Sequence, residues 1–155
     1  MSQFRLCLIA ITFLSLLCSS TAKSQSATTT QSPDELAIRQ TALDYIEGWY
    51  EGDAARMERA LHPELAKRMV APDTRGQSHL NQMSAMTLVQ ATRAGGGSRT
   101  PKDEQQKEIT ILDRFNNAAM VKIVASSWVG YLEEVKFNGQ WKIINVLWEL
   151  KSEQK

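Results

Sequence analysis

The sequence predicts an α+β domain, with three helices ahead of an antiparallel meander. Ser32-Pro33-Asp34-Glu35 combines a capping hydroxyl, a proline suited to the first helical turn and a glutamate that completes a capping box. At the other end of the chain, residues 137–150 read FNGQWKIINVLWEL, a strand, a two-residue turn and a second strand. Asn138-Gly139 is the strongest short-range hairpin signal, because both residues accept the positive φ of a type I′ turn. Helical periodicity runs up to Gly95-Gly96-Gly97, and strand-like runs follow it, which fixes the order of the two halves.

In the first helix Leu36, Leu43, Ile46 and Tyr50 recur at helical spacing, with Ile38, Ala42, Tyr45 and Trp49 beside them. The apolar stripe is wide, so this helix is expected to press into a concave surface. Gly52 stops it, Asp53 caps a short second helix ending near Leu61, and Pro63 prevents continuation. Residues 65–70 suit a short strand and 72–77 a loop; 84–94 read as the third helix, ended by the glycine triplet. A polar loop runs through 102–106. Strands are expected at 107–115 and 118–125, joined by Asn116-Asn117, and at 129–137 and 140–149. In the last strand nearly every residue is apolar on both faces, so both faces should be covered. Strict alternation sends Trp141, Ile143 and Leu147 one way and Ile144, Val146 and Trp148 the other. Asn145 breaks the apolar run, which makes it a candidate polar contact inside a pocket.

Residues 1–22 read as a secretory signal peptide: one charge at Arg5, an apolar run over 6–17, and Ser20-Thr21-Ala22 as a small-residue cleavage site. The run is shorter than the roughly 20 residues of a spanning helix, and bulky Leu17 disfavours a lipoprotein acylated at Cys18. The domain is therefore expected to be exported, periplasmic or secreted, with no membrane attachment after cleavage. Cys7 and Cys18 both lie in this segment, so the mature chain would hold no disulfide, thiolate nucleophile or cysteine metal site. Removal of Arg5 takes 18 basic and 17 acidic residues to 17 of each, and a neutral surface has no field to hold nucleic acid or anionic lipid. Residues 23–31, rich in Ser, Thr and Gln, read as a flexible tether. Residues 32–150 are long enough for one domain with a real core.

Three segments, DYIEGWYEGDAARMER (44–59), ALHPELAKRMV (60–70) and 116–149 with WVGYLEEVKFNGQWKIINVLWE, together resemble the nuclear transport factor 2-like superfamily. Within it the chain is most similar to the putative lumazine-binding family. The resemblance implies a cone-shaped fold, in which helices fill the mouth of a strongly curved sheet and leave a pocket inside. The chain departs from the family in WVGYLEE, where members carry an Asp and a His at the positions of Gly130 and Glu133. Chemistry shared across the family therefore does not carry over directly.

Ketosteroid isomerases of the same superfamily use a carboxylate base and a tyrosine-containing oxyanion hole. Alignment on Gly52-Asp53 places Tyr45 at the tyrosine, but Met69 at the base, with Lys67 and Arg68 before it. Methionine cannot accept a proton, so no catalytic residue is assigned. His62, before Pro63 at a helix end, is a candidate general base or ligand contact, or else satisfies carbonyls at the helix terminus. His79 falls in a loop, and the two histidines have no spacing for a metal site. The stretch from Gly76 to Leu80 lacks the second glycine of a nucleophile elbow, and Gly95-Gly96-Gly97-Ser98 lacks the lysine of a phosphate loop. No metal or cofactor is expected. Trp49, Trp128, Trp141 and Trp148, with Tyr45, Tyr50 and Tyr131, are many aromatics for a small domain and suit a planar heteroaromatic ligand or a packed core. Arg68 could pair with an anionic ligand group or stand exposed.

The sequence thus reads as an exported small-molecule-binding domain. Tyr45, Trp49 and Trp128 are expected to wall its pocket, with His62 and Asn145 as polar contacts. Alternatives are an enzyme of the polyketide cyclase or ketosteroid isomerase type on the same pocket, and a protein-interaction module whose pocket is vestigial. A homodimer through the sheet is expected, since one face of the last strand would otherwise leave an apolar patch exposed; the resemblance favours the face with Trp148.

Overall fold

Ser32 begins the first helix with the reciprocal bonds its sequence promises: the Glu35 amide donates to Ser32 Oγ at 3.2 Å, and the Ser32 amide to Glu35 Oε2 at 2.8 Å. The structure, a computed structural model, describes residues 31–152. The signal segment 1–22 and the tether up to residue 30 lie outside the described residues. The elements are α1 (Pro33–Glu51), α2 (Ala54–Ala60), β1 (Leu61–Pro72), β2 (Ser78–Ser84), α3 (Ala85–Arg93), a 3-10 turn (Lys102–Glu104), β3 (Lys107–Phe115), β4 (Ala118–Ala125), β5 (Trp128–Phe137) and β6 (Gln140–Leu150). The class is α+β, as the sequence predicts. The strands form one six-stranded sheet in the order β2-β1-β6-β5-β4-β3, curved around the helices. Among the described residues only β1 and β6 are parallel neighbours.

Helix α1 lies against β3, β4 and β6, α3 against β1 and β2, and α2 against both other helices. Ile38, Ala42, Tyr45 and Ile46 of α1 are buried with Leu65, Val121, Ile123, Leu132, Ile143 and Val146 from the concave face of the sheet. Both ends of α1 are fastened. Asp34 accepts from Lys136 Nζ at 2.8 Å and Trp141 Nε1 at 3.1 Å, so Trp141 ties the helix start to the sheet. At the other end the Tyr50 hydroxyl lies 2.8 Å from Ser126 Oγ and 3.1 Å from the Gln106 carbonyl oxygen. Asp44, buried between α1 and α2, accepts from Arg59 Nε at 2.9 Å and Arg56 Nε at 3.0 Å. Burial alone would raise its pKa, yet hydrogen bonds from Arg59, Arg56 and Gln40 hold the carboxyl below its ordinary value.

Two stretches differ from the sequence reading. Residues around His79, expected in a loop, form β2, which pairs with β1 from Ala66↔Ser84 to Pro72↔Ser78. This edge strand is exposed along almost all its length, so it carries no apolar alternation for a sequence to show. The strand β1 starts at Leu61, directly after α2, with Pro63 inside it. Pairing with β6 is interrupted between Leu61 and Ala66, and Pro63, which has no amide hydrogen to give, occupies that interval.

The alternation expected in the last strand also fails. Glu133 pairs with Asn145 and Glu134 with Ile143, leaving Ile144 as an extra residue in a bulge. Beyond it the faces exchange: Trp141, Ile143, Val146 and Trp148 point to the helices, while Asn145 and Leu147 point outward. The face expected to carry Trp148 outward instead turns it into the cone.

Candidate functional site

Where α1 ends, the cone holds a cavity of about 340 Å³ lined by Trp49, Tyr50, Lys67, Met83, Leu88, Trp128, Trp148 and the loop at Gly96, Gly97, Arg99 and Thr100. Trp49 reaches it from the last turn of α1, Trp128 from the first residue of β5, and Trp148 from the inward positions of β6 beyond the bulge. The loop after α3 lies directly on Trp49. Gly97 donates its amide to the Trp49 carbonyl oxygen at 2.9 Å, and a Cβ on Gly97 would stand 2.6 Å from Trp49 Nε1. Only glycine permits that approach.

Lys67 is the central polar residue of the site. Leu65 and Lys67 face inward from alternate positions of β1, and Lys67 is 7 % exposed. Its Nζ sits 4.5 Å from the ring centroid of Trp148, 5.3 Å from Trp128, 5.5 Å from Tyr45 and 5.9 Å from Trp49. The three indoles fall within the range where a π face attracts a cation, whereas Tyr45 meets Nζ through its hydroxyl. Nζ donates one hydrogen bond, to the Tyr45 hydroxyl oxygen at 2.9 Å. The rings brace one another edge to face, Tyr45 on Trp128 at 6.1 Å and Trp128 on Trp148 at 6.4 Å. Among the described residues no carboxylate comes within ion-pair distance of Lys67, and none lines the cavity.

The structure gathers Tyr45, Trp49 and Trp128 around this amine, with Tyr45 fully buried behind Lys67 rather than on the cavity wall. His62 and Asn145 stand elsewhere. His62 lines a separate groove of about 280 Å³ between α2, α3 and β1, with Glu58, Met86 and Arg93. Its ring lies edge-on to Phe137 at 4.7 Å, and its Nδ1 accepts from the Glu64 amide at 3.2 Å. Asn145 lies on the convex face and donates to Glu133 Oε2 at 2.7 Å, a placement set by the bulge at Ile144. Arg68 also faces outward, donating to Gln82 Oε1 at 3.0 Å. The residue placed to meet an anion is thus Lys67, not the Arg68 that the sequence offers as a candidate. Alternation counted from Leu65 would have put Lys67 inside and Arg68 outside. His79 is exposed on β2, 3.1 Å from Asn81 Oδ1. Among the described residues no three His, Cys, Asp or Glu side chains gather as a metal site.

Gly130 faces inward beneath Trp128. A Cβ there would stand 2.9 Å from Trp128 Cζ3, so the indole occupies the space a side chain at that position needs. A second titratable group also faces inward. Glu134, paired across the strands with Ala119 and Ile143, is fully buried, and among the described residues neither carboxylate oxygen has a hydrogen-bond partner. Desolvation pushes its pKa up to about 9.

The model of the family described as "Putative lumazine-binding" matches residues 33–149. Among curated proteins none matches the chain. Solved structures share the fold. A nuclear transport factor 2-like protein of unknown function from Methylobacillus flagellatus superposes with a TM-score of 0.63 at 17 % identity, covering 80 % of this chain and 97 % of that one. One from Silicibacter pomeroyi gives 0.60 at 15 % identity over 79 % and 99 %. One from Shewanella baltica gives 0.60 at 16 % identity over 81 % and 99 %. At these identities the likeness carries the fold and nothing finer. The family match spans nearly all of the described domain: the chain has a nuclear transport factor 2-like fold and belongs to the putative lumazine-binding family.

Proposed function

We propose that this protein is an exported small-molecule-binding domain whose aromatic cavity takes a planar heteroaromatic ligand. The observation that carries the reading is the cavity at the end of α1, with Trp49, Trp128 and Trp148 as its walls. Indole faces around a space of about 340 Å³ suit a flat ring system, and family membership is consistent with a ligand-binding domain. Lumazine and a flavin should each be tested for saturable quenching of tryptophan fluorescence. Trp49→Leu should weaken affinity by roughly three- to tenfold, the worth of one aromatic contact. No saturable change with either compound, nor with a pterin, would leave the pocket without this role.

Export rests on the signal features of residues 1–22. We further propose that a second copy covers the convex face of the sheet. Leu147 is 56 % exposed there, beside Met120 and Tyr131 around a groove of about 420 Å³ that also holds Arg68 and Glu133. Opposite charges on one apolar face suit a two-fold pairing in which each copy's arginine meets the other's glutamate. Native mass spectrometry of protein from its own envelope reads both points. A dimer of chains beginning near Lys23 is expected. A diacylglyceryl adduct on Cys18 would overturn lipid-free export, and a monomer that persists at micromolar concentration would overturn the pairing.

A further inference from the structure

We infer that the cavity selects planar ligands bearing an anionic group, such as a carboxylate or a phenolate, and that Lys67 Nζ is the group that binds it. The inference rests on the small-molecule reading above and adds the charge of the ligand. An ammonium has three donors. One goes to the Tyr45 hydroxyl, and among the described residues no other acceptor takes either of the remaining two. Buried cations are ordinarily paired with an anion, because desolvating an unpaired charge is costly. Here three indole rings surround Nζ in place of a carboxylate, and the fourth aromatic, Tyr45, meets it through its hydroxyl. Indoles attract a cation but accept no strong hydrogen bond, so they hold Lys67 in position while leaving its donors for an oxygen anion.

The cavity has matching electrostatics. Among the described residues that line it, the charged ones are Lys67 and Arg99 and none is acidic. An anion entering from the loop side would meet Arg99 first and Lys67 at depth, and its flat ring would lie against Trp49, Trp128 or Trp148. A neutral carboxamide of the same shape would gain the stacking and offer one carbonyl oxygen to a lysine donor, but neither the negative charge nor a second accepting oxygen. Discrimination of this kind is larger than stacking preferences alone, because a charge-assisted hydrogen bond is involved.

The test uses 2-naphthoate and 2-naphthamide, two probes of one shape that differ in charge, titrated calorimetrically at neutral pH. The wild-type protein should bind the carboxylate at least about tenfold more tightly than the amide. Lys67→Met should abolish that preference while retaining the amide, and Lys67→Arg, which keeps the charge if Lys67→Met misfolds, should retain the preference. Equal affinity for the two probes, or a preference that survives Lys67→Met, would overturn the inference and leave the small-molecule reading standing. Binding of neither probe would overturn the inference, and the small-molecule reading falls with it only if lumazine, a flavin and a pterin also fail to quench the tryptophans.

Discussion

Lys67 and Glu134 are two ionisable side chains buried on the concave face of one sheet, and they are treated in opposite ways. Lys67 is 7 % exposed beside a cavity, with a tyrosine hydroxyl for one donor and three indole rings about its Nζ. Among the described residues Glu134, fully buried, has no ion-pair partner and no hydrogen bond to either oxygen. Burial alone therefore does not make a functional site. Lys67 has surroundings arranged for its charge, whereas Glu134 escapes its surroundings by keeping its proton, with a pKa pushed up to about 9. The first arrangement points to recognition and the second to a cost in stability.

The largest expected effect tests the Glu134 half of that contrast. In the unfolded chain this carboxyl releases its proton above about 4.5, whereas the folded protein retains it to about 9. The folded state binds more protons across that interval, so stability falls as pH rises from about 4.5 toward 9 and levels off beyond. Holding the proton at pH 7 costs on the order of 3 kcal/mol. Glu134→Gln removes the titration and should stabilise the protein by about that amount at pH 7 while changing little at pH 4.5. Asp44 and Glu47, held below the ordinary carboxylate range, lose their contribution only as pH falls through the acid end, so they leave this window undisturbed. Urea unfolding at intervals from pH 5 to 8 measures the effect. Parallel stability curves for wild type and variant would show that Glu134 is ionised in the fold and that its burial is met by something unaccounted for.

The same contrast marks what the sequence could and could not disclose. Ser32-Pro33-Asp34-Glu35 and Asn138-Gly139 act through local backbone chemistry, and both form as read, with φ of 49° and 79° at the turn. The wide apolar stripe of α1 likewise marks a helix packed in a concavity. Nonlocal geometry was hidden. The bulge at Ile144 has no glycine or proline to announce it, and a single extra residue exchanges the faces of Asn145, Leu147 and Trp148. β2 pairs through its backbone with side chains exposed, so its residues looked like loop. Lys67 is legible from alternation with Leu65, but a charged residue in a strand is ordinarily outward, so residue type and alternation give opposite signals there.

A smaller effect sharpens the Lys67 half of the comparison. If the amine depends on the Tyr45 hydroxyl, Tyr45→Phe leaves a buried cation without its hydrogen-bond acceptor and should cost about 2 kcal/mol. Lys67→Met places an unbranched apolar chain among the same rings, where nothing then needs the hydroxyl. In that background Tyr45→Phe should cost less than about 1 kcal/mol, because replacing both partners of a buried hydrogen bond leaves no polar group stranded. The two substitutions should therefore be coupled by on the order of 1 kcal/mol or more. Denaturant unfolding of the four proteins in the cycle supplies the number. Additive costs would mean that the rings alone hold Lys67 and that Tyr45 is only a packed aromatic. A clear coupling would mean that the fold supplies this lysine with one oxygen partner, unlike Glu134, and leaves its other donors for a ligand.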